Sequence, residues 1–94
     1  MVLIHRIKYY YIYSNMNNGY IVYNKHKQFK EGHTHINNFN TAKYIAHLSL
    51  YKLKPKNNHL SNYLFESLIR VSDDEKYIEM IKKLQEEDNR KRKK

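Results

Sequence analysis

The sequence predicts an α+β domain in which a three-stranded antiparallel sheet is followed by two to three helices packed on one of its faces. Three observations lead there. Residues 4–37 are dense in β-branched and aromatic side chains and are broken by Asn- and Gly-bearing turns. After Asn40 the apolar residues switch to helical spacing. The chain has 94 residues, enough for one small core, which reads as a single domain over residues 1–88 followed by a disordered basic tail over 89–94.

The first strand reads over residues 4–14, from Ile4 to Ser14 through Tyr9, Tyr10, Tyr11 and Tyr13. It places Ile7, Tyr9, Tyr11 and Tyr13 on one face and Arg6, Lys8, Tyr10 and Ile12 on the other, because strand side chains alternate. Asn15-Met16-Asn17-Asn18-Gly19 supplies residues that tolerate positive φ in a hairpin loop. The second strand covers residues 20–27. A two-residue Asn18-Gly19 turn sets Tyr13 opposite Asn24 and Tyr11 opposite His26; a five-residue loop sets Tyr13 opposite Ile21 and Tyr11 opposite Tyr23. Both registers remain open at this level. Lys30-Glu31-Gly32 reads as a turn and residues 33–37 as a short third strand.

Asn40 is a good N-cap for a helix over residues 41–53, with Ala42, Ile45 and Leu48 on one stripe and Ala46, Leu50 and Leu53 beside it. Lys43, His47 and Lys54 fall near the opposite stripe, and Pro55 ends the helix. Leu60, Leu64 and Leu68, with Phe65 and Ile69 alongside, mark a second helix. Ser72 with Glu75 reads as a capping box opening a third, whose seam is Tyr77, Ile81 and Leu84. Beyond Glu87 no apolar residue follows.

Composition narrows the chemistry. There is no cysteine, so disulfide staples and thiolate zinc sites are excluded, and a reducing compartment, the cytoplasm of a bacterial host cell, is expected. No apolar run is long enough to span a bilayer, and the start carries basic residues without a small-residue cleavage site, so neither a membrane partner nor a secretory signal is expected. The formal net charge is +9. It is uneven: the only acids in residues 1–70 are Glu31 and Glu66, residues 71–89 are acidic, and Arg90 to Lys94 are all basic. Such a body attracts polyanions at long range. Tyrosine and asparagine are abundant in the manner of an A/T-rich coding sequence.

His26, His33 and His35 are the residues from which a metal site would be built, but no Asp, Glu or Cys stands at ligand spacing, and no metal or cofactor is expected. A metal-independent ribonuclease is one alternative. It needs a general base, a general acid and a cation, and His33, His35, Lys25, Lys27 and Tyr23 offer these groups. Gly32-His33-Thr34-His35 is similar to the Gly-Ser-His-His stretch of one family of small toxin ribonucleases, whose element order differs. The reading preferred is a non-enzymatic binding protein, monomer or homodimer. Arg6, Lys8, Tyr10, Tyr23, Lys25 and Lys27 form its sheet ribbon, and Arg90, Lys91 and Arg92 its basic tail, both engaging nucleic acid, DNA ahead of RNA, or a nucleic-acid-bound complex.

Three strands entering a helix through Phe39-Asn40-Thr41 resemble the AP2-like arm-binding domains of phage integrases over residues 4–53. There an aromatic-x-Thr step opens the helix and the sheet enters the DNA major groove. The chain departs from that pattern in lacking a Gly before Phe39 and in placing Ala46 one position late. The resemblance implies DNA contact through Arg6, Lys8, Tyr10, Lys25 and Lys27. In general appearance the chain also resembles the small accessory proteins of phages and mobile elements. That implies the other alternative, an inhibitor docking on a host nucleic-acid-processing protein such as a CRISPR effector through an aromatic patch with a charged rim.

Overall fold

After Ile7 the expected first strand folds back on itself. The computed structural model describes residues 1–15, 19–55 and 62–92, Lys91 and Arg92 by backbone alone. In it Val2–Ile7 forms β1 and Tyr10–Ser14 forms β2, joined by the two-residue turn Lys8-Tyr9, with Lys8 at φ 53°. β3 is Tyr20–Asn24 and β4 is His33–Ile36, separated by the single helical turn α1, Phe29–Gly32, where a turn was expected. The result is a four-stranded antiparallel sheet in the order β1-β2-β3-β4, one strand more than the sequence implied. Leu3 pairs with Tyr13 but His5 with Ile12, so Ile4 is an extra residue that bulges the outer strand.

The turn overturns the expected facing of the first strand. Arg6 pairs with Tyr11 and Ile7 with Tyr10, and directly paired residues share a face. Arg6 and Tyr10 therefore stand on opposite faces. β2 and β3 adopt the five-residue-loop register, Tyr11 opposite Tyr23 and Tyr13 opposite Ile21. That register brings Val22 and Asn24 beside Ile12 and Tyr10. The two-residue alternative would have brought Lys25 beside Ile12, into the core. The tip of that loop, Met16 to Asn18, lies outside the described residues.

Three helices follow: α2 Phe39–Tyr51, α3 Asn62–Val71 and α4 Glu75–Arg92. The N-cap of α2 is Asn38, not Asn40: its Oδ1 accepts from the Thr41 N–H at 3.0 Å. Phe39, packed at 5.5 Å against the Tyr20 ring, draws the helix start back two residues. Lys52 closes α2 in the left-handed region, φ 56°, so Leu53 lies beyond the helix and is exposed. At the start of α4, Asp74 rather than Ser72 caps, accepting from the Tyr77 N–H at 3.1 Å. Ser72 is instead buried and hydrogen-bonded to Ser49. Helix α4 continues through Arg92, over the first part of the stretch expected to be disordered. Among the expected features, Leu60, His59, Lys93 and Lys94 lie outside the described residues.

The core lies between one face of the sheet and the helices. Tyr10, Ile12, Val22 and Ile36 meet Ala42, Ile45, Ala46 and Leu48 of α2, Leu64, Phe65, Leu68 and Val71 of α3, and Tyr77 and Ile81 of α4. Burying each large aliphatic side chain contributes about 1.5–3 kcal/mol. All three helices thus depend on the same sheet face. Among the described residues, no helix is long and apolar enough to cross a membrane.

Candidate nucleic-acid interface

The other face of the sheet is built by two rows that run across the strands. Strand pairing aligns Arg6, Tyr11, Tyr23 and His33 in one row and Leu3, Tyr13, Ile21 and His35 in the other. Among the described residues no helix lies across them; Phe29 of α1 reaches onto the surface, and α3 borders it at His35. Its ring stacks on His33 at 4.2 Å, 6° from parallel, and meets Tyr23 edge-on at 5.1 Å.

Two cations converge on this face. The Arg6 guanidinium lies 5.3 Å from the Tyr11 ring centroid and the Lys25 ammonium 5.2 Å from it. Each gains from the negative face of the ring while its charge stays in solvent, both residues being exposed. Arg6 is further oriented by Nε donating to the Lys8 carbonyl at 3.2 Å. No carboxylate belongs to either row, so the positive potential is unopposed within them.

The rings are held in place. The Tyr23 hydroxyl donates to the Lys27 carbonyl at 2.7 Å. His33 Nδ1 donates to the Phe29 carbonyl, which fixes that tautomer for the neutral ring, and the His33 and His35 rings stand 5.1 Å apart. His35 also borders a cleft of about 580 Å³ between β4 and α3, lined by Tyr63, Glu66 and Arg70.

Of the residues the sequence nominated, Arg6, Tyr23 and Lys25 come together here. Lys8 is exposed at the tip of the β1–β2 turn, off the rows. Tyr10 does not belong to the surface. It is fully buried on the helix side, its hydroxyl hydrogen-bonded to Ser49, and burial pushes that phenol well above its ordinary range. Lys27 is also diverted: its ammonium donates to the carbonyls of Arg70 at 2.9 Å and Ser72 at 3.2 Å, where a cation complements the C-terminal end of α3. Gly32 makes room for that lysine, since a Cβ there would stand 2.5 Å from Lys27 Cβ. Arg90 is exposed near the end of α4, and the side chains of Lys91 and Arg92 lie outside the described residues.

Tyr11, Tyr13 and Phe29 belong to the surface although the sequence reading did not nominate them. Knowing the Lys8-Tyr9 turn would have found the two tyrosines, since it moves Arg6 from the face of Tyr10 and Ile12 to that of Tyr11 and Tyr13. His26 is remote from His33 and His35, stacked on Tyr9 at 3.9 Å and paired with Asp73 at 3.2 Å. Among the described residues no three metal-ligating side chains cluster. Comparison with protein-family models, curated proteins and solved structures yields no match.

Proposed function

We propose that this chain is a non-enzymatic nucleic-acid-binding protein that holds its ligand on the open face of the sheet. The observation that carries this reading is the placement of Arg6 and Lys25 over Tyr11, beside Tyr13 and Tyr23, on a surface that none of the described helices roofs. Phosphates need fixed cations and bases need flat rings, and here both stand side by side. The excess of +9 draws a polyanion in, and Arg90 adds to that field at a distance from the face.

The test is fluorescence anisotropy of labelled DNA and RNA over a salt series. Affinity falls steeply with salt, and the Arg6→Gln/Lys25→Gln double variant reduces the slope of log K against log salt by about 1.4, two phosphates at about 0.7 each on a single strand. An unchanged affinity and slope in that variant would overturn the reading. The nucleic acid is recovered intact; metal-independent RNA cleavage that disappears in His35→Ala would replace binding with the ribonuclease alternative.

The inhibitor alternative draws on a different feature. Met1, Val2, Leu3 and Ile4 are 61%, 62%, 45% and 42% exposed along the free edge of β1, an apolar strip suited to protein contact. A complex with a host nucleic-acid-processing protein formed there would survive high salt and be lost in Ile4→Lys, while nucleic-acid affinity stayed unchanged.

A further inference from the structure

Resting on the reading of the open face as a nucleic-acid surface, we infer that its ligand is single-stranded, with two or three unpaired bases laid on the rings and the backbone anchored at Arg6 and Lys25. The residues in the two rows decide between strand states. Their eight positions hold three tyrosines, two histidines, one leucine, one isoleucine and a single arginine. A sheet that reads a duplex groove needs donors and acceptors projecting toward base edges, plus cations reaching phosphates on both strands. This face offers few of them, since the Tyr23 hydroxyl and His33 Nδ1 are already engaged with the Lys27 and Phe29 carbonyls. Its cations meet at one ring, and the rest of the surface is aromatic or apolar.

A duplex keeps the flat faces of its bases stacked on one another, out of reach of such rings. An unpaired strand exposes them, and stacking on tyrosine, phenylalanine or histidine is how proteins hold them. The dimensions agree. From β1 to β4 each row crosses three strand gaps of about 4.8 Å, about 14 Å in all, which is room for two or three bases. The row has a polarity as well. Arg6 and Lys25 gather at the Tyr11 end, and the Phe29–His33 stack closes the far end, with Phe29 39% exposed. Tyr23, tied through its hydroxyl to Lys27, and Phe29, stacked on His33, are ordered before any ligand arrives. Less side-chain freedom is therefore lost on binding. The diversion of Tyr10 and Lys27 away from the surface removes two of the contacts that major-groove docking would have used.

The experiment compares labelled oligonucleotides of about twelve nucleotides, a length within the usual site sizes of such proteins. They are single-stranded DNA, single-stranded RNA of the same sequence and the matched DNA duplex, with polyphosphate as a polyanion without bases. The single strands bind at least tenfold tighter than the duplex. The DNA and RNA arms show which sugar is preferred. Tyr13→Leu and Phe29→Leu each weaken single-strand binding by about tenfold and leave polyphosphate binding unchanged, while Tyr13→Phe restores the DNA affinity. Circular dichroism melts of each variant report the fold independently. If the duplex binds as tightly as the single strands and the leucine variants bind like the parent, the single-strand inference falls. Should Arg6→Gln/Lys25→Gln still lower the affinity and the salt slope in that case, the broader reading survives. If no nucleic acid binds at low salt, both fall.

Discussion

Tyr10 and Tyr11 are adjacent in β2, yet they belong to different worlds. Tyr10 has no exposed surface and shares its hydroxyl with Ser49, which in turn bonds Ser72, while Asn24 Nδ2 donates to the Val71 carbonyl at 2.8 Å nearby. Tyr11 lies half-buried on the opposite face with two cations over its ring. On the helix-facing side the fully buried phenol of the sheet is the one received by a polar chain of serines and an asparagine, while Tyr20, only partly buried, packs on Phe39. The open side presents phenols as flat surfaces, with the Tyr23 hydroxyl held by the Lys27 backbone carbonyl rather than by a buried side chain. What separates the two faces is the supply of buried hydrogen-bond partners, not ring content.

Substitutions across the strand test that division most strongly. Ile12→Ala, at a site with no exposure, costs about 2–5 kcal/mol in urea unfolding, whereas Tyr13→Leu on the open face costs no more than about 1 kcal/mol. Equal losses would mean that the open face is a second core. Next comes the phenol itself. Tyr10→Phe removes one of the two hydrogen-bond partners of Ser49 and costs about 1–3 kcal/mol, while Tyr11→Phe stays within about 0.5 kcal/mol.

The same contrast has a pH signature. Burial raises the Tyr10 and Tyr77 phenols above the value near 10 that they take in the unfolded chain. The neutral forms are thus favoured by folding. Their contribution is complete below about pH 10 and is lost as pH rises from there toward the folded values. Thermal melts lose stability on the alkaline side, less steeply in Tyr10→Phe.

Two lysines sharpen the comparison at smaller scale. Lys27→Met removes both hydrogen bonds to the end of α3 and costs about 1 kcal/mol. Lys25→Met leaves the melting temperature unchanged and weakens nucleic-acid binding several-fold. The smallest effect belongs to the turn that sorts the faces: Lys8→Gly relieves a positive φ of 53° and raises stability by about 0.5 kcal/mol, read from the urea midpoint.

The helical half was largely legible. Ala42, Ile45 and Leu48, and Leu64, Phe65 and Leu68, carry the helical period, and all six are buried. The hairpin between β2 and β3 was legible as a pair of registers, and the cost of placing Lys25 in the core selects one. The β1–β2 turn was hidden because neither Lys8 nor Tyr9 is a turn-forming type. Its strain is outweighed by what folding back achieves, Ile7 and Tyr10 meeting on the helix side. That one unseen turn accounts for Tyr10 being nominated for the surface and Tyr11 and Tyr13 being passed over. The helix starts were displaced for a related reason. Asn38 and Asn40, like Ser72 and Asp74, are equally good caps by type, and packing of Phe39 and burial of Ser72 decide between them.

The bulge at Ile4 bears on edge-to-edge pairing between copies of the chain. β1 is the outermost strand of the sheet, and among the described residues no strand pairs with its outer edge, where apolar side chains stand exposed. A straight strand of that kind is a template on which identical chains polymerise into fibrils. One surplus residue breaks the even spacing of the backbone N–H and C=O groups midway along β1, so an incoming strand finds no continuous ladder to join.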